Sequence, residues 1–467
     1  MRFNLVEIIE AVSGRVDRLT PSSFVDNVYI DSRKLQKNGL FIAIEGKRFD
    51  GHDFVIDAVK NGASALIISR DVPIIPKDVT VIRVKDTTKA LGQIARFHRM
   101  RFDIPVIAVT GSAGKTTTKE MISSVLSRAV KVLKNINTEN NQYGVALTLL
   151  RLNASYDVAV LELATSSVGE IDWLSSVAIP DIVVFTNIGA SHLEGLSTPE
   201  GVFREKFSLI SNMNPYGYVI FNNDDFYLRK IGDIRISQCK LSYACNASAV
   251  IKADDIRTDM ASGIVFRVGG REFFIPKIGI HNVYNSLAAI CCGKIFGIDQ
   301  NLVADAISKF RPLSGRQFVK EIGGVTVIDD TYNSNPVSFL VAVKTLDELD
   351  VTGRKILACA DMLELGEQSK YFHIQAGRQV AISSIDAVFA IGEHSKYIID
   401  TIIRENTTIN TFYTDNLQEF IYELNAYCKE GDVLLVKGSR GMHMERVIED
   451  IERIRIFKDE KEVDYAL

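Results

Sequence analysis

Features that define several classes of protein are missing from this sequence of 467 residues. No apolar run approaches the roughly 20 residues that a membrane-spanning helix needs, and the first ten residues carry acids within their apolar pattern, unlike a signal peptide. Acidic and basic residues are interspersed and leave a net charge of −4, so no basic field is present of the kind that duplex nucleic acid selects. We therefore expect no membrane and no nucleic-acid partner.

Cysteine is also scarce, and low-complexity tracts and internal repeats are missing. The six cysteines show no C-x-x-C spacing and several lie in apolar runs, which indicates reduced, partly buried thiols rather than disulfides or a zinc site. This usage predicts a cytoplasmic location. Apolar residues make up 46% of the chain, enough for several cores, and the length predicts about three domains.

The most informative stretch is residues 104–120, a buried strand followed by a glycine-rich turn and a helix. Its two glycines allow backbone N–H groups to point inward, and the helix N-terminus adds positive potential, as in a phosphate-binding loop. A lysine there could reach the terminal phosphates, and a threonine hydroxyl could hold Mg²⁺. The loop predicts ATP-binding residues at Gly111, Ser112, Ala113, Gly114, Lys115, Thr116 and Thr117.

The loop departs from the strict pattern G-x-x-x-x-G-K-[ST], because Val109 stands in place of the first glycine. An ordinary glycine turn with a surface lysine is therefore the alternative. The buried strand before the turn and the helical apolar spacing after it favour phosphate binding.

Short apolar strands alternate with helical patterns throughout, which is typical of parallel α/β units. We predict an α/β protein of three domains: a smaller N-terminal α/β domain (1–102), a central parallel-sheet domain of the P-loop ATPase type (103–313) and a C-terminal Rossmann-like domain (314–467). The predicted buried strands are residues 39–44, 65–68, 79–84, 104–110, 158–162, 182–186, 217–221, 325–329, 355–359, 387–391 and 432–437.

Polar residues follow several of these strands at their carboxyl ends, where ligands gather in open parallel sheets. Glu162 could bind a metal beside the phosphate loop, or be a solvated strand-end acid. Asn187 and His192 share one loop, where a structural hydrogen-bonding role for the histidine is the alternative. Asp329 and Asp330 could hold ribose hydroxyls or a cation, or cap a helix.

Three further segments have similarly open interpretations. Residues 437–441 place two cations around glycines and could bind an anion or form a basic turn. The asparagine-rich segments 138–144 and 332–336 could donate amides to a ligand or form Asx turns. Residues 279–289 open a helix with amide side chains in its first turn, which could contact a ligand or cap the helix.

Together these residues resemble the ATP-dependent Mur ligases over nearly the whole chain, and Thr110-Gly-Ser-Ala-Gly-Lys-Thr-Thr-Thr-Lys-Glu-Met121 is similar to that family's own variant of the phosphate loop. The resemblance implies ATP binding also by Asn282, Arg316 and Asp330. It implies Mg²⁺ ligation by Thr116, Glu162, His192 and Lys206, the last as a carbamate formed with CO₂. It implies catalytic roles for Lys115, His192 and Lys206.

Four segments resemble the dipeptide-adding branch of the family: residues 31–33, 46–54, 330–336 and 361–366. The resemblance implies a cytoplasmic, monomeric enzyme of peptidoglycan precursor synthesis, and hence of cell wall biogenesis, cell shape and division. It would join D-alanyl-D-alanine to a UDP-linked muramoyl tripeptide through an acyl phosphate. The implied substrate-binding residues are Ser32, Arg33, Arg48, His52, Asn140, Asn141, Thr165, Asn333 and Asn335.

Two alternatives remain at this point. A folylpolyglutamate synthase-like ligase would share the phosphate loop and the modified lysine, but it lacks a UDP-binding segment like residues 31–54. A catalytically silent nucleotide-binding protein would be favoured by loss of Lys115, Glu162 or His192, and all three are present.

Overall fold

The computed structural model describes residues 2–464 apart from 22–23, 47–48, 73–74, 137–138, 260–262 and 312, with side chains described up to residue 455 except that of Asp259. The predicted α/β class is confirmed, since parallel sheets covered by helices recur along the chain. Among the described residues no helix is both long enough and apolar enough to cross a bilayer. All six cysteines are free thiols, and only Cys239 is exposed.

The N-terminal part contains a five-stranded sheet of order β2-β7-β6-β5-β4, in which only the β2–β7 pair is antiparallel, and a small β1–β3 ladder. Its strands are β1 (Phe3–Asn4), β2 (Arg15–Arg18), β3 (Phe24–Val25), β4 (Val28–Tyr29), β5 (Gly39–Ile42), β6 (Ala63–Ile68) and β7 (Thr80–Arg83). Its helices are α1 (Leu5–Val12), α2 (Val55–Lys60) and α3 (Thr87–Arg99), with 3₁₀ turns at Ser32–Lys34 and Gly51–Phe54.

The central part is built on a seven-stranded parallel sheet of order β14-β13-β12-β11-β8-β10-β9. Its strands are β8 (Val106–Thr110), β9 (Val132–Lys134), β10 (Val158–Glu162), β11 (Ile182–Phe185), β12 (Tyr218–Asn222), β13 (Cys239–Ala244) and β14 (Ile251–Lys252). Its helices are α4 (Lys115–Leu126), α5 (Gln142–Leu149), α6 (Glu170–Ala178), α7 (Leu193–Leu196), α8 (Pro199–Phe207), α9 (His281–Ile295) and α10 (Gln300–Ser308).

Strand β8 explains why the sequence shows an unbroken apolar run before the phosphate loop. Its side chains alternate between the two faces, so Val106 and Ala108 enter one hydrophobic core while Ile107 and Val109 enter another. A strand covered by helices on both sides has no solvent face to carry polar residues. Val109 is thus a core residue of the strand.

A three-stranded antiparallel sheet, which the sequence analysis did not predict, follows the central strands. It consists of β15 (Asp254–Asp259), β16 (Gly263–Val268) and β17 (Arg271–Ile275). Its inner residues Ile264, Phe266, Phe273 and Ile275 extend the core that packs under α9 and α10.

The C-terminal part contains a six-stranded sheet of order β18-β19-β23-β20-β21-β22, parallel except for the edge pair β18–β19. Its strands are β18 (Phe318–Ile322), β19 (Val325–Asp330), β20 (Lys355–Ala360), β21 (Ala387–Ile391), β22 (Asn410–Thr414) and β23 (Val433–Lys437). Its helices are α11 (Pro336–Asp347), α12 (Ser369–Ala381), α13 (Lys396–Glu405), α14 (Leu417–Tyr427) and α15 (Glu445–Asp464). The last strand inserts between β19 and β20, which brings its carboxyl end beside theirs.

Candidate active site

The loop between β8 and α4 requires glycine at two positions. At Gly111 a Cβ atom would lie 1.9 Å from Oγ1 of Thr186, and the φ angle is 156°. At Gly114 the φ angle of 77° lies in the left-handed region, which side chains disfavour. The backbone can therefore turn tightly enough to start α4 directly at Lys115, where the first-turn N–H groups have no acceptor within the helix.

The loop is held by the residues that follow β11. Asn187 accepts the N–H of Ala113 at its Oδ1 (2.9 Å) and the N–H of Ser112 at its backbone oxygen (2.9 Å). The hydroxyl of Thr186 donates to the carbonyl of Ala113 at 2.6 Å. Since these bonds occupy both sides of Ala113, the loop has a fixed shape before any ligand binds.

Lys115 lies at the start of the cavity, with its Nζ donating to the carbonyl of Gly111 at 2.8 Å. Burial lowers the pKa of Lys115, while the charge of Glu162 opposes that shift and Arg316 adds to it. The lysine shares the site with a second cation, so the local potential suits an anionic ligand.

Glu162, at the end of β10, is buried and oriented by two donors. The hydroxyl of Thr116 donates to its Oε2 at 2.6 Å, and the side-chain amide of Asn140 donates to its Oε1 at 2.8 Å. The sequence-predicted metal residues Thr116 and Glu162 are thus in direct contact. His192 lines the same cavity, with its Nδ1 2.6 Å from Oε2 of Glu364.

Lys206, on α8, is fully buried, and among the described residues its Nζ has no hydrogen-bond partner. Burial holds the pKa of Lys206 well below its usual value, and the charge of Lys115 lowers it further, while Glu205 and Glu162 oppose the shift. The carboxylate of the neighbouring Glu205 is used elsewhere, since it accepts the N–H groups of Gly169 and Ile171 at 2.8 Å each.

Lys115, Glu162 and His192 line a cavity of about 550 Å³ between the central and C-terminal sheets, whereas Lys206 is not among its lining residues. Its walls contain the loop from Ser112 to Thr117, the predicted ATP residues Asn282, Arg316 and Asp330, and the predicted metal residues Glu162 and His192. Three predicted substrate-binding residues also line it: Asn140, Asn333 and Asn335.

The C-terminal part reaches the phosphate loop directly. The side-chain amide of Asn335 donates to the carbonyl of Ser112 at 3.2 Å, while its oxygen caps α11 by accepting the N–H of Ser338 at 2.9 Å. Arg316 stacks over the ring of Tyr332, 3.9 Å from its centroid. Cavity walls from both sheets are therefore joined at the phosphate end.

Asp330 ends β19 in a charged cluster. The Nζ of the buried Lys437 donates to its Oδ2 at 2.7 Å and to the carbonyl of Asn333 at 3.1 Å. Burial raises the pKa of Asp330, against the opposing effect of Lys437. Since Asp330 also lines the cavity, it is available to a ligand as an acceptor.

Other sequence-predicted residues have structural partners outside this cavity. His52 is buried, with Nδ1 2.6 Å from Oδ1 of Asp50 and Nε2 accepting the N–H of Ser69 at 2.9 Å. Asn141 caps α5, and Thr165 donates to the carbonyl of Ser167 at 2.8 Å.

In the segment predicted to bind UDP, Ser32 is buried, and Arg33 is exposed and paired with Asp31. Arg48 lies outside the described residues. Direct contact of these residues with substrate, and that of His52, Asn141 and Thr165, stays a prediction.

Several cavity residues were missed as ligand contacts in the sequence analysis. Lys277 lines the cavity and donates to the carbonyls of Arg316 and Gln317 at 3.1 Å each, and burial lowers its pKa to about 8. Asp224 and Tyr284 also line the cavity, where the hydroxyl of Tyr284 donates to Oδ2 of Asp224 at 2.8 Å. A single lysine or aspartate in a loop has no sequence pattern around it that indicates contact with a ligand.

Family models match most of the chain. The model for the Mur ligase family, catalytic domain, matches residues 24–99, that for the Mur ligase middle domain residues 109–293, and that for the Mur ligase glutamate ligase domain residues 316–440. The fold and the phosphate-loop site, together with these matches, establish that the chain belongs to the Mur ligase family.

Among relatives, the UDP-N-acetylmuramoyl-tripeptide–D-alanyl-D-alanine ligase of Bacillus subtilis (strain 168) is 35% identical over 430 residues, or 91% of this chain and 93% of the relative. A crystal structure of MurF from Acinetobacter baumannii superposes with a TM-score of 0.89 at 29% identity, covering 97% of this chain and 99% of that one. The MurF ligase of Thermotoga maritima in complex with ADP gives 0.82 at 28% identity, covering 92% and 97%.

Proposed function

We propose that this chain joins D-alanyl-D-alanine to a UDP-N-acetylmuramoyl tripeptide in an ATP-dependent reaction. The observation that carries the proposal is the convergence of Lys115, Glu162 and Lys206 beside one phosphate loop. The name of the 35% identical relative supplies the two substrates, and the chain matches that relative over nearly its whole length. The resemblance of residues 31–54 to a UDP-binding segment favours this reaction over a folylpolyglutamate synthase-like one.

The chemistry consists of two displacements. A carboxylate oxygen of the tripeptide attacks the γ-phosphorus of ATP, and the bond between that phosphorus and ADP breaks to leave an acyl phosphate. The dipeptide amine then attacks the acyl carbon and loses a proton, and the tetrahedral intermediate expels phosphate. Carboxylate and triphosphate repel each other, so Lys115 and the first-turn N–H groups of α4 act by compensating charge and positioning oxygen on phosphorus.

Thr116, Glu162 and His192 would hold Mg²⁺. Glu162 is already oriented by two donors, and in the described part of the chain no three His, Cys, Asp or Glu side chains cluster as a self-sufficient metal site. That fits Mg²⁺, which keeps waters and substrate phosphate oxygens among its ligands. The ion would supply further neutralisation of phosphate charge.

Lys206 fits the carbamate that the family resemblance implies. Carbamate formation joins the amine nitrogen to the carbon of CO₂ and releases a proton, so it requires a neutral amine. Burial lowers the pKa of Lys206 and favours that form. Its Nζ also lacks a hydrogen-bond partner among the described residues, so no existing bond has to be broken. The carbamate would place a negative charge close to Lys115.

The three proposed domains, 1–102, 103–313 and 314–467, would divide the work. The first would bind the UDP end through Ser32, Arg33 and residues 46–54, the second ATP and metal, and the third the dipeptide. Each contains a sheet of its own. The contact of Asn335 with Ser112 supports a closed arrangement in which the third domain covers the nucleotide.

The test is a phosphate-release assay with purified protein, ATP, Mg²⁺, the UDP-muramoyl tripeptide and D-alanyl-D-alanine, with the product identified by mass. We expect release that depends on the dipeptide, and a product mass equal to the two substrates less one water. Release that is the same without the dipeptide would refute the reaction. Replacing both substrates by a folate and glutamate is the control for the alternative ligase.

A further inference from the structure

The loop Asp361–Gly366 carries a distinctive motif, yet the proposed reaction assigns it no role. It follows β20, and its main chain is anchored by Asp361, whose carboxylate accepts the N–H of Ser395 at 2.7 Å and the hydroxyl of Ser395 at 2.7 Å. The N–H of Leu363 donates to Oγ of Ser439 at 2.9 Å. The loop is therefore a fixed platform at the carboxyl ends of the strands of the six-stranded C-terminal sheet.

This platform presents Glu364 to the central domain. Oε2 of Glu364 lies 2.6 Å from Nδ1 of His192, at an angle that does not form a hydrogen bond, and Nδ1 has no other partner among the described residues. The carbonyl of Glu364 accepts the N–H of Glu194 at 3.3 Å. A third contact runs from Nε2 of Gln368 to the carbonyl of Ser197 at 3.1 Å. The segment that carries His192 is thus bound to the third domain at three points.

Backbone conformation marks the same contact. His192, Ser197 and Glu364 have φ angles of 53°, 63° and 63°, in the left-handed region that non-glycine residues seldom adopt. Such conformations persist where the surrounding structure over-determines them. Their grouping on both sides of one contact indicates that the position of the histidine ring relative to Glu364 is specified by the fold.

We propose that Glu364 is a positioning residue for His192, acting across the domain boundary. As the acceptor of a hydrogen bond from Nδ1–H, its carboxylate would fix the ring orientation and the tautomer, which leaves the Nε2 lone pair available to a metal ion. Histidine ligands commonly donate their second ring N–H to a carboxylate in this way. The inference rests on the proposed metal role of His192.

The contact between Glu364 and His192 links domain docking to the metal site. Because the carboxylate belongs to the third domain and the imidazole to the second, the histidine is fully oriented only when the two domains are docked. Docking and completion of the metal site are therefore coupled.

The experiment measures Mn²⁺ binding by electron paramagnetic resonance in the full-length protein with AMP-PNP. The Glu364→Gln variant should bind Mn²⁺ about tenfold or more weakly, the usual effect of losing such a partner. Glu367→Gln is the matched control, since Glu367 is exposed directly after the same loop and has no ion pair among the described residues. This variant should bind Mn²⁺ as the wild type does. In a His192→Gln background, Glu364→Gln should cause no further loss.

A second readout is the ¹⁵N resonance pair of the His192 ring, assigned by its absence in His192→Gln. The wild type should show a protonated Nδ1 and an unprotonated Nε2, and Glu364→Gln should show a mixture of tautomers. Unchanged Mn²⁺ affinity and unchanged ring resonances in Glu364→Gln would overturn the proposal, as would an equal loss of affinity in the His192→Gln background.

The ligase assay on the same preparations separates this inference from the proposed function. An active wild type with an unaffected Glu364→Gln variant defeats only the positioning role. An inactive wild type defeats the proposed reaction, and the Mn²⁺ comparison then still decides whether Glu364 acts through His192.

Discussion

Replacing Lys206 by methionine should abolish ligase turnover and yet stabilise the protein. The wild-type structure keeps an amine in a fully buried position where, among the described residues, its Nζ has no partner. Methionine retains most of the apolar stem and removes the polar group, whose burial without a hydrogen bond costs about 1–3 kcal/mol in proteins. The unmodified amine can destabilise the fold and still be essential for catalysis, because the proposed carbamate would convert it into an anionic group.

The gain in stability of Lys206→Met over the wild type should decrease as pH rises. The pKa of Lys206 is lowered in the folded state, so the unfolded chain binds this proton more tightly and the folded state is penalised most at low pH. The penalty falls as pH rises from the folded pKa to about 10.5, by about 1.4 kcal/mol per pH unit. Within that range the advantage of the variant should therefore shrink by about 1.4 kcal/mol for each pH unit.

The assay is thermal unfolding in buffers freed of CO₂, with the exposed Lys294→Met as control. For a domain of about 200 residues, 1 kcal/mol corresponds to about 2–4 °C in Tm. The difference in Tm between the variant and the wild type should therefore decrease by several degrees per pH unit. Added bicarbonate should raise the Tm of the wild type alone. A Lys206→Met protein that is less stable than wild type at pH 7.5, with a gap independent of pH, would refute the reasoning.

Three further outcomes are expected. Lys115→Ala should lower turnover by about 10²-fold or more, because it removes charge compensation at the transferred phosphate; retained phosphate release would exclude the loop from the mechanism. Asn335→Ala should lower the Tm by a few degrees, because loss of the α11 cap costs about 1 kcal/mol. Asn335→Asp should keep the cap and the Tm, and should raise only the KM for ATP, since a carboxylate cannot donate to the carbonyl of Ser112. Lys277, with a pKa of about 8, is charged below that pH and neutral above it. The KM for ATP should therefore increase as pH rises through 8 in the wild type and stay constant in Lys277→Met. The same pH profile of KM in both proteins would contradict a role of the Lys277 charge in ATP binding.

The sequence alone determined the buried parallel strands and the phosphate loop. Strands β8, β10, β11 and β21 are covered on both faces, so their residues form unbroken apolar runs that can be located without tertiary information. The loop from Gly111 to Thr117 is contiguous, and its chemistry depends on neighbours in the chain.

Elements with weaker local patterns were not predicted. Strand β22 (Asn410–Thr414) lies at a sheet edge and is largely polar and half-buried, and β15 (Asp254–Asp259) carries charges at four of its six positions. Both are strands because of the partner beside them, β21 in one case and β16 in the other. Backbone pairing of this kind places little demand on side-chain pattern.

Tertiary structure alone decided which distant side chains meet. Asn335 contacts Ser112 across 223 positions of sequence, and Glu364 lies beside His192, which follows a strand of a different sheet. These contacts arise from how the central and C-terminal sheets dock, and the local periodicity that specifies each sheet contains no information about that docking. For the same reason the sequence could mark Lys206 only by resemblance, since its burial beside Lys115 and Glu162 is a property of the packed site.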